Sequence, residues 1–329
     1  MATYYVDNDK TDDSGAGTSW ATAKKTIQGA VNLITGALNG ENFICLKSDA
    51  ADPTYSGDVI IEGVRVVGAN AKLIIEPRHS DDSTVLWNQA VYNNHTYSPF
   101  QSGTSGTWDI KTTRPVTIPA QIEIRNSGTV EIRGVHFDGD SGENAGVVVN
   151  LGSIVRVVYS RFEGVSAAAV SQANSALEIE NCYFLQNTCS VLARLNSAVN
   201  LSGNIYLEDP RFMGIWAIFA DAIVVTPWSE APFLFRTLEI KTTCSRKTFT
   251  GIKLEGASAL KVWDGLLPGD VDAANIVIRN DFKSLSSKYY GVLLEGPSNL
   301  FGAENIEFYT QNAKGETVAM PMAQQVVQS

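Results

Sequence analysis

The sequence predicts an all-β protein: a solenoid of short parallel strands with a helix capping its N-terminal end. Three observations lead there. Four segments, VEIRGVHF, VRVVYSRF, LEIENCYF and VNLSGNIY, repeat one pattern of apolar and aromatic residues. Their anchors Val130, Val155, Leu177 and Val199 lie 155 − 130 = 25, 177 − 155 = 22 and 199 − 177 = 22 residues apart. A second pair, GIKLEGASAL (251–260) and GVLLEGPSNL (291–300), matches at an offset of 40. Short strands recurring at a fixed period, with no helical pattern between them, are the signature of a solenoid.

Taken in chain order, TYYVD opens the chain as a strand. Ser19 or Thr22 can start a helix reaching Leu33, with Ile27, Ala30, Val31 and Ile34 on one face. A solenoid needs such a cap, because its open end exposes apolar side chains and unpaired strand edges. Residues 1–40 are therefore assigned to a cap loop and helix. Residues 41–316 form the coils, beginning with NFICLKS and DVIIEGVRVVGANAKLIIE, and 317–329 form an uncharged tail. Within each repeat the anchor and the residue two later face inward. An aromatic follows seven after the anchor: Phe137, Phe162, Phe184 and Tyr206. One outward ladder reads Glu131, Arg156, Glu178, Asn200, and opposite charges one turn apart attract. The offset of 40 reads as two short turns, with NIVIRNDF (275–282) on the turn between. Two intervals break the pattern, near 79–109 and 209–250, and read as insertions. Insertions in solenoids emerge from one face, which is often the binding face.

YYVDNDKTDDSGAGTSWATAKKTIQGAVNLI, followed by FICLKSDAADPTYSGDVII, resembles the opening of right-handed parallel β-helix proteins of the pectate-lyase-like superfamily. The resemblance implies a single-stranded right-handed parallel β-helix. It leaves activity open, because that superfamily includes polysaccharide lyases, glycoside hydrolases, epimerases, and phage tailspikes and virion fibres without catalysis. Its phage branch implies a virion or extracellular location, contacts with other virion or tail proteins or with itself as a homotrimer, and a cell-surface polysaccharide as receptor. The NTD, DD, HG and RIK motifs of polygalacturonase-like hydrolases are missing from the repeats. The reading therefore favours a non-catalytic structural or receptor-binding protein. The alternative is a lyase or hydrolase acting on acidic glycans.

Composition narrows the partners. The 329 residues carry 25 basic and 35 acidic side chains, a net charge of −10. That argues against nucleic acid, which wants a basic surface. The apolar stretch from Met213 to Val225 contains Asp221 and is too short to span a bilayer. No signal peptide is visible at the start. Cys45, Cys182, Cys189 and Cys244 lack metal-type spacing and read as buried free thiols.

The candidates for chemistry are few. In HFDGDSGEN, Asp138, Asp140 and Glu143 crowd one loop and form a candidate metal site. Glu163 stands one turn on from Asp138, and Arg161 lies nearby, as does Arg133. Two carboxylates one strand spacing apart can hold a cation or share a proton, so Asp138, Glu163 and Arg161 are the catalytic candidates. No cofactor is otherwise implied. Calcium is the metal such a site would take, neutralising a uronate carboxylate. DNDKTDDSG (7–15) resembles a calcium loop but lacks the central Gly and terminal Glu. Trp87, Tyr92, Tyr97 and Trp108 could stack on sugar rings. Phe212, Met213, Trp216, Phe219 and Trp228 read as a subunit interface.

Overall fold

A computed structural model describes residues 1–81, 116–139, 146–202, 205–220, 222–226, 238–242, 248–262, 276–280, 288–301, 306–311, 317–320 and 326–328. The described strands form three long sheets, one of ten strands and two of nine. We call them sheets A, B and C in the order of the strands within one turn, and the result is a parallel β-helix. One turn is Ala176–Glu180 in sheet A, Tyr183–Leu185 in sheet B and Cys189–Arg194 in sheet C. Each strand pairs in parallel with its equivalents on the turns before and after. Leu177, Ile179, Cys182, Phe184, Val191 and Ala193 from this turn all point into one continuous core. Alternation decides this: residues two apart on a strand share a face.

The inner aromatics stack. Phe137, Phe162 and Phe184 are fully buried, with consecutive ring centroids 4.7 Å apart and interplanar angles of 10° and 4°. Tyr206 does not continue this column, contrary to its position seven after the anchor. Glu180 pairs with Ser202, whereas Tyr183 pairs with Tyr206 and Phe184 with Leu207. The later turn thus holds one more residue at the corner, and Leu207 takes the inner place. The offset of 40 is also corrected. Ile252 pairs directly with Val292, so 40 residues make one turn, and Ile276–Asn280 is the sheet B strand of that same turn. Loop length adds to the sequence period without changing the rung spacing.

Most of the described corners are closed by a residue in left-handed backbone conformation. After eight of the nine sheet C strands the next residue is Gly63, Asn126, Leu151, Ala173, Leu195, Phe219, Gly256 or Gly296, with φ between 47° and 72°. Gly134, Tyr159 and Asn181 do the same after sheet A, and Gly164, Gln186 and Asp209 after sheet B. At Gly256 the requirement is double. Its φ is +72°, and an added Cβ would lie 2.5 Å from the Phe219 ring. Gly256→Ala is therefore expected to cost about 1–3 kcal/mol, read as a lower denaturation midpoint. An unchanged midpoint would show that the Phe219 ring gives way freely.

The helix is shorter than expected. It runs Ile27–Val31, with Thr26 as N-cap accepting from the Gly29 amide. Ser19 and Thr22 form a turn instead, and Lys24 bonds in extended form to Tyr5 and Asp7. Ile27, Ala30 and Val31 join the core, and Ile34 packs against it. The Gln28 amide covers the edge of sheet C: its Oε1 accepts from Ile60 N at 2.7 Å, and its Nε2 donates to Ile60 O at 3.3 Å. Within 209–250, read as an insertion, strands Met213–Ile218, Ala222–Thr226 and Leu238–Thr242 lie in register with their sheets. The tail adds Thr317–Met320, antiparallel at the end of sheet B, and Val326–Gln328 at the end of sheet C.

Candidate functional site

The outer face of sheet B brings the predicted catalytic candidates together. Short strands His136–Asp138, Arg161–Glu163, Tyr183–Leu185 and Ile205–Glu208 lie side by side. Their outward residues make two columns: His136, Arg161, Tyr183, Tyr206, and Asp138, Glu163, Leu185, Glu208. Asp138 and Glu163 are register partners, as the spacing predicts.

Glu163 is engaged from two sides. Arg161 donates to its Oε2 through Nε at 3.0 Å and Nη2 at 2.6 Å, and His136 Nε2 lies 3.4 Å from the same oxygen. The Arg161 guanidinium sits 5.3 Å from the Tyr183 ring centroid, and Tyr183 Oη donates to Glu208 at 2.6 Å. Tyr206 stacks on Tyr183 at 5.6 Å. Burial, then the hydrogen bond to Glu208 and its charge, push the Tyr183 phenol far above its ordinary range. It stays protonated and donates. His136, Tyr183, Tyr206 and Glu208 were missed by sequence reasoning. They become visible when the three-residue strands are aligned in columns at a period of two.

Other expected residues fall elsewhere. Arg133 is on sheet A, bonded to Glu131 and Glu76, and does not reach the sheet B cluster. Asp140, Glu143, Trp87, Tyr92, Tyr97, Trp108, Trp228 and Cys244 lie outside the described residues. Among the described residues no group of three or more His, Cys, Asp or Glu side chains is placed to hold a metal ion. The acidic cap loop spends its carboxylates on protein donors. Asp7 and Asp9 bind Lys47 at 3.0 and 3.4 Å, Asp12 accepts from Ser14 N, and Asp13 accepts from Lys25 N, Thr26 N and the Thr26 hydroxyl. Of the expected interface residues, Met213 is buried by strand alternation and cannot serve an outer surface. Trp216 is half-buried, donating to Glu255 at 3.2 Å beneath Lys253, while Phe212 and Phe219 are exposed. Cys45, Cys182 and Cys189 are buried thiols outside any disulfide. Burial pushes the Cys189 thiol up to about 12, so it is inert as a nucleophile.

The outer face of sheet A carries the expected charge ladder in register: Glu131, Arg156, Glu178, Asn200. Glu131, only 3% exposed, accepts from Lys72 at 2.7 Å and from Arg133, with Arg156 at 3.9 Å. Arg156 also meets Glu180, and Glu178 at 3.6 Å. No helix among the described residues is long and apolar enough to cross a membrane. No protein-family profile matches the chain, and a search of curated proteins finds no match.

Proposed function

We propose that this chain is a non-catalytic β-helix protein of a phage-like particle: a virion or tail component, structural or receptor-binding, that self-associates and faces cell-surface glycans. The observation that supports this reading is that the charged groups a catalytic face would need are committed to one another. Glu163 holds Arg161, Glu208 holds Tyr183, and Glu131 holds Lys72 and Arg133. Such ladders stiffen a solenoid along its axis. A second reading, a lyase or hydrolase of acidic glycans with calcium as its metal, has one observation in its favour: the register pair Asp138–Glu163 beside Arg161 and His136.

Binding to an array of bacterial surface glycans tests the receptor-facing part of the reading. The expected result is retention of at least one acidic or neutral polysaccharide, with that retention lost in Trp87→Ala and Trp108→Ala. Retention unchanged in both variants would remove those aromatics from the binding face. Absence of any retained glycan would leave only the structural role.

A further inference from the structure

The last described coil is closed by a strap. Its strands are Lys288–Glu295 in sheet C, Asn299–Phe301 in sheet A and Ile306–Gln311 in sheet B. The chain then turns back along this coil. Thr317–Met320 runs antiparallel beside Ile306–Gln311, with Thr317 opposite Gln311 and Met320 opposite Phe308. It is the one antiparallel pairing among the described strands. Val326–Gln328 then pairs with Val292–Leu294 of sheet C.

This arrangement changes what the end of the solenoid offers to another chain. An unpaired strand is a template for pairing, and short strands and proline blunt it. Without the strap, the outermost strands would be eight residues long in sheet C and six in sheet B. With it they are three residues in sheet C and four in sheet B, beside three in sheet A. Pro321 follows Met320 directly and cannot extend the ladder as a donor. The reversed strand also points the wrong way to be continued by another parallel coil. The inner residues of this coil, Val292, Leu294, Ile306 and Phe308, are at most 8% exposed, and the strap runs beside them with Val326 against Val292 and Met320 against Phe308.

The occupant that the strap keeps out is a second copy of the chain. Its own pairing shows that Ile306–Gln311 accepts an antiparallel partner. A two-fold axis normal to sheet B would set Ile306–Gln311 of one copy antiparallel to the same strand of the other, a self-complementary contact. The same axis lays sheet C of each copy against sheet A of the other, so the long edge Lys288–Glu295 meets Asn299–Phe301.

We infer that Thr317–Gln328 is an autoinhibitory strap, which holds the edges through which two copies would otherwise join end to end. The inference stands apart from the function proposed above, and turnover of a glycan would leave it untouched.

Light scattering tests it. A chain ending at Glu316 is expected to have double the mass of the whole chain, with its strand-type circular dichroism spectrum retained. A synthetic peptide of residues 314–329, added to that shortened chain, is expected to return it to the mass of the whole chain. The full-length variant Val318→Pro/Ala319→Pro is expected to double in mass as well. Adjacent residues of a strand direct their amides to opposite sides, so one of the two prolines removes a donor to Ile306–Gln311. A shortened chain with the mass of the whole chain overturns the inference. So does a mass increase that the peptide leaves unchanged. Loss of the strand spectrum in both altered chains overturns it too, by making the strap a requirement of the fold.

Discussion

Phe162→Ala is expected to destabilise the protein by about 3–5 kcal/mol, among the largest effects of any single core substitution. Phe162 is the middle ring of three. Phe137 and Phe184 lie on either side at 4.7 Å, and all three are fully buried. Removing the ring opens a cavity whose walls are themselves rings held by parallel strands, so the site collapses poorly. It also removes two stacking contacts at once, each worth about 0.5–1.5 kcal/mol beyond burial. Phe162→Leu is expected to cost less, because Leu207 already follows Phe184 in the same column. The urea midpoint checks both. Equal midpoints for the two variants would show that the column is not a packed stack.

Glu131→Gln is expected to cost about 3 kcal/mol at neutral pH. That is the low end for breaking a buried ion pair, because Lys72 and Arg133 keep about a fifth of their side chains in water. The substitution leaves their charges facing an amide. The pH dependence follows from the same contacts. Burial alone would raise the Glu131 pKa; hydrogen bonds from Arg133 and Lys72, and their charges, more than reverse this, and the net effect is a lowered value. A carboxyl with a depressed folded pKa contributes stability above its ordinary value of 4.5 and loses it as pH falls through the folded value. The wild-type protein is therefore expected to lose stability on acidification below that point. The Glu131→Gln variant should show a shallower acid limb and converge on the wild type. Parallel pH–stability curves for the two would contradict the assignment.

The inner columns were legible because two periods reinforce each other: alternation within strands and a recurrence near 22 residues between them. Where one residue was added at a corner, the alignment slipped, and Tyr206 took the place that belongs to Leu207. The larger offset of 40 hid a single turn, because the strand segments alone set the register. The corner ladder was invisible for another reason. Backbone conformation there is uniform while residue type is not, since Gly63, Asn126, Leu151 and Phe219 share one φ region. The Asp138–Glu163 pair was readable from spacing, yet its partners were not. His136 and Tyr183 sit on strands only three residues long, too short for a period to announce itself. The helix was overestimated because its apolar face is real. The segment before Thr26 is instead held extended by bonds to Tyr5, Asp7 and Asp13.

The central claim is that the sheet B carboxylates are scaffold. Incubating the protein with a panel of acidic polysaccharides, with and without calcium, and measuring new unsaturated and reducing ends tests it most directly. The Asp138→Asn/Glu163→Gln variant serves as the control. The account predicts the same background from both proteins, with a lower melting temperature for the variant, whose Arg161 has lost its carboxylate. Product formed by the wild type and not by the variant would contradict it and assign Asp138 and Glu163 to chemistry.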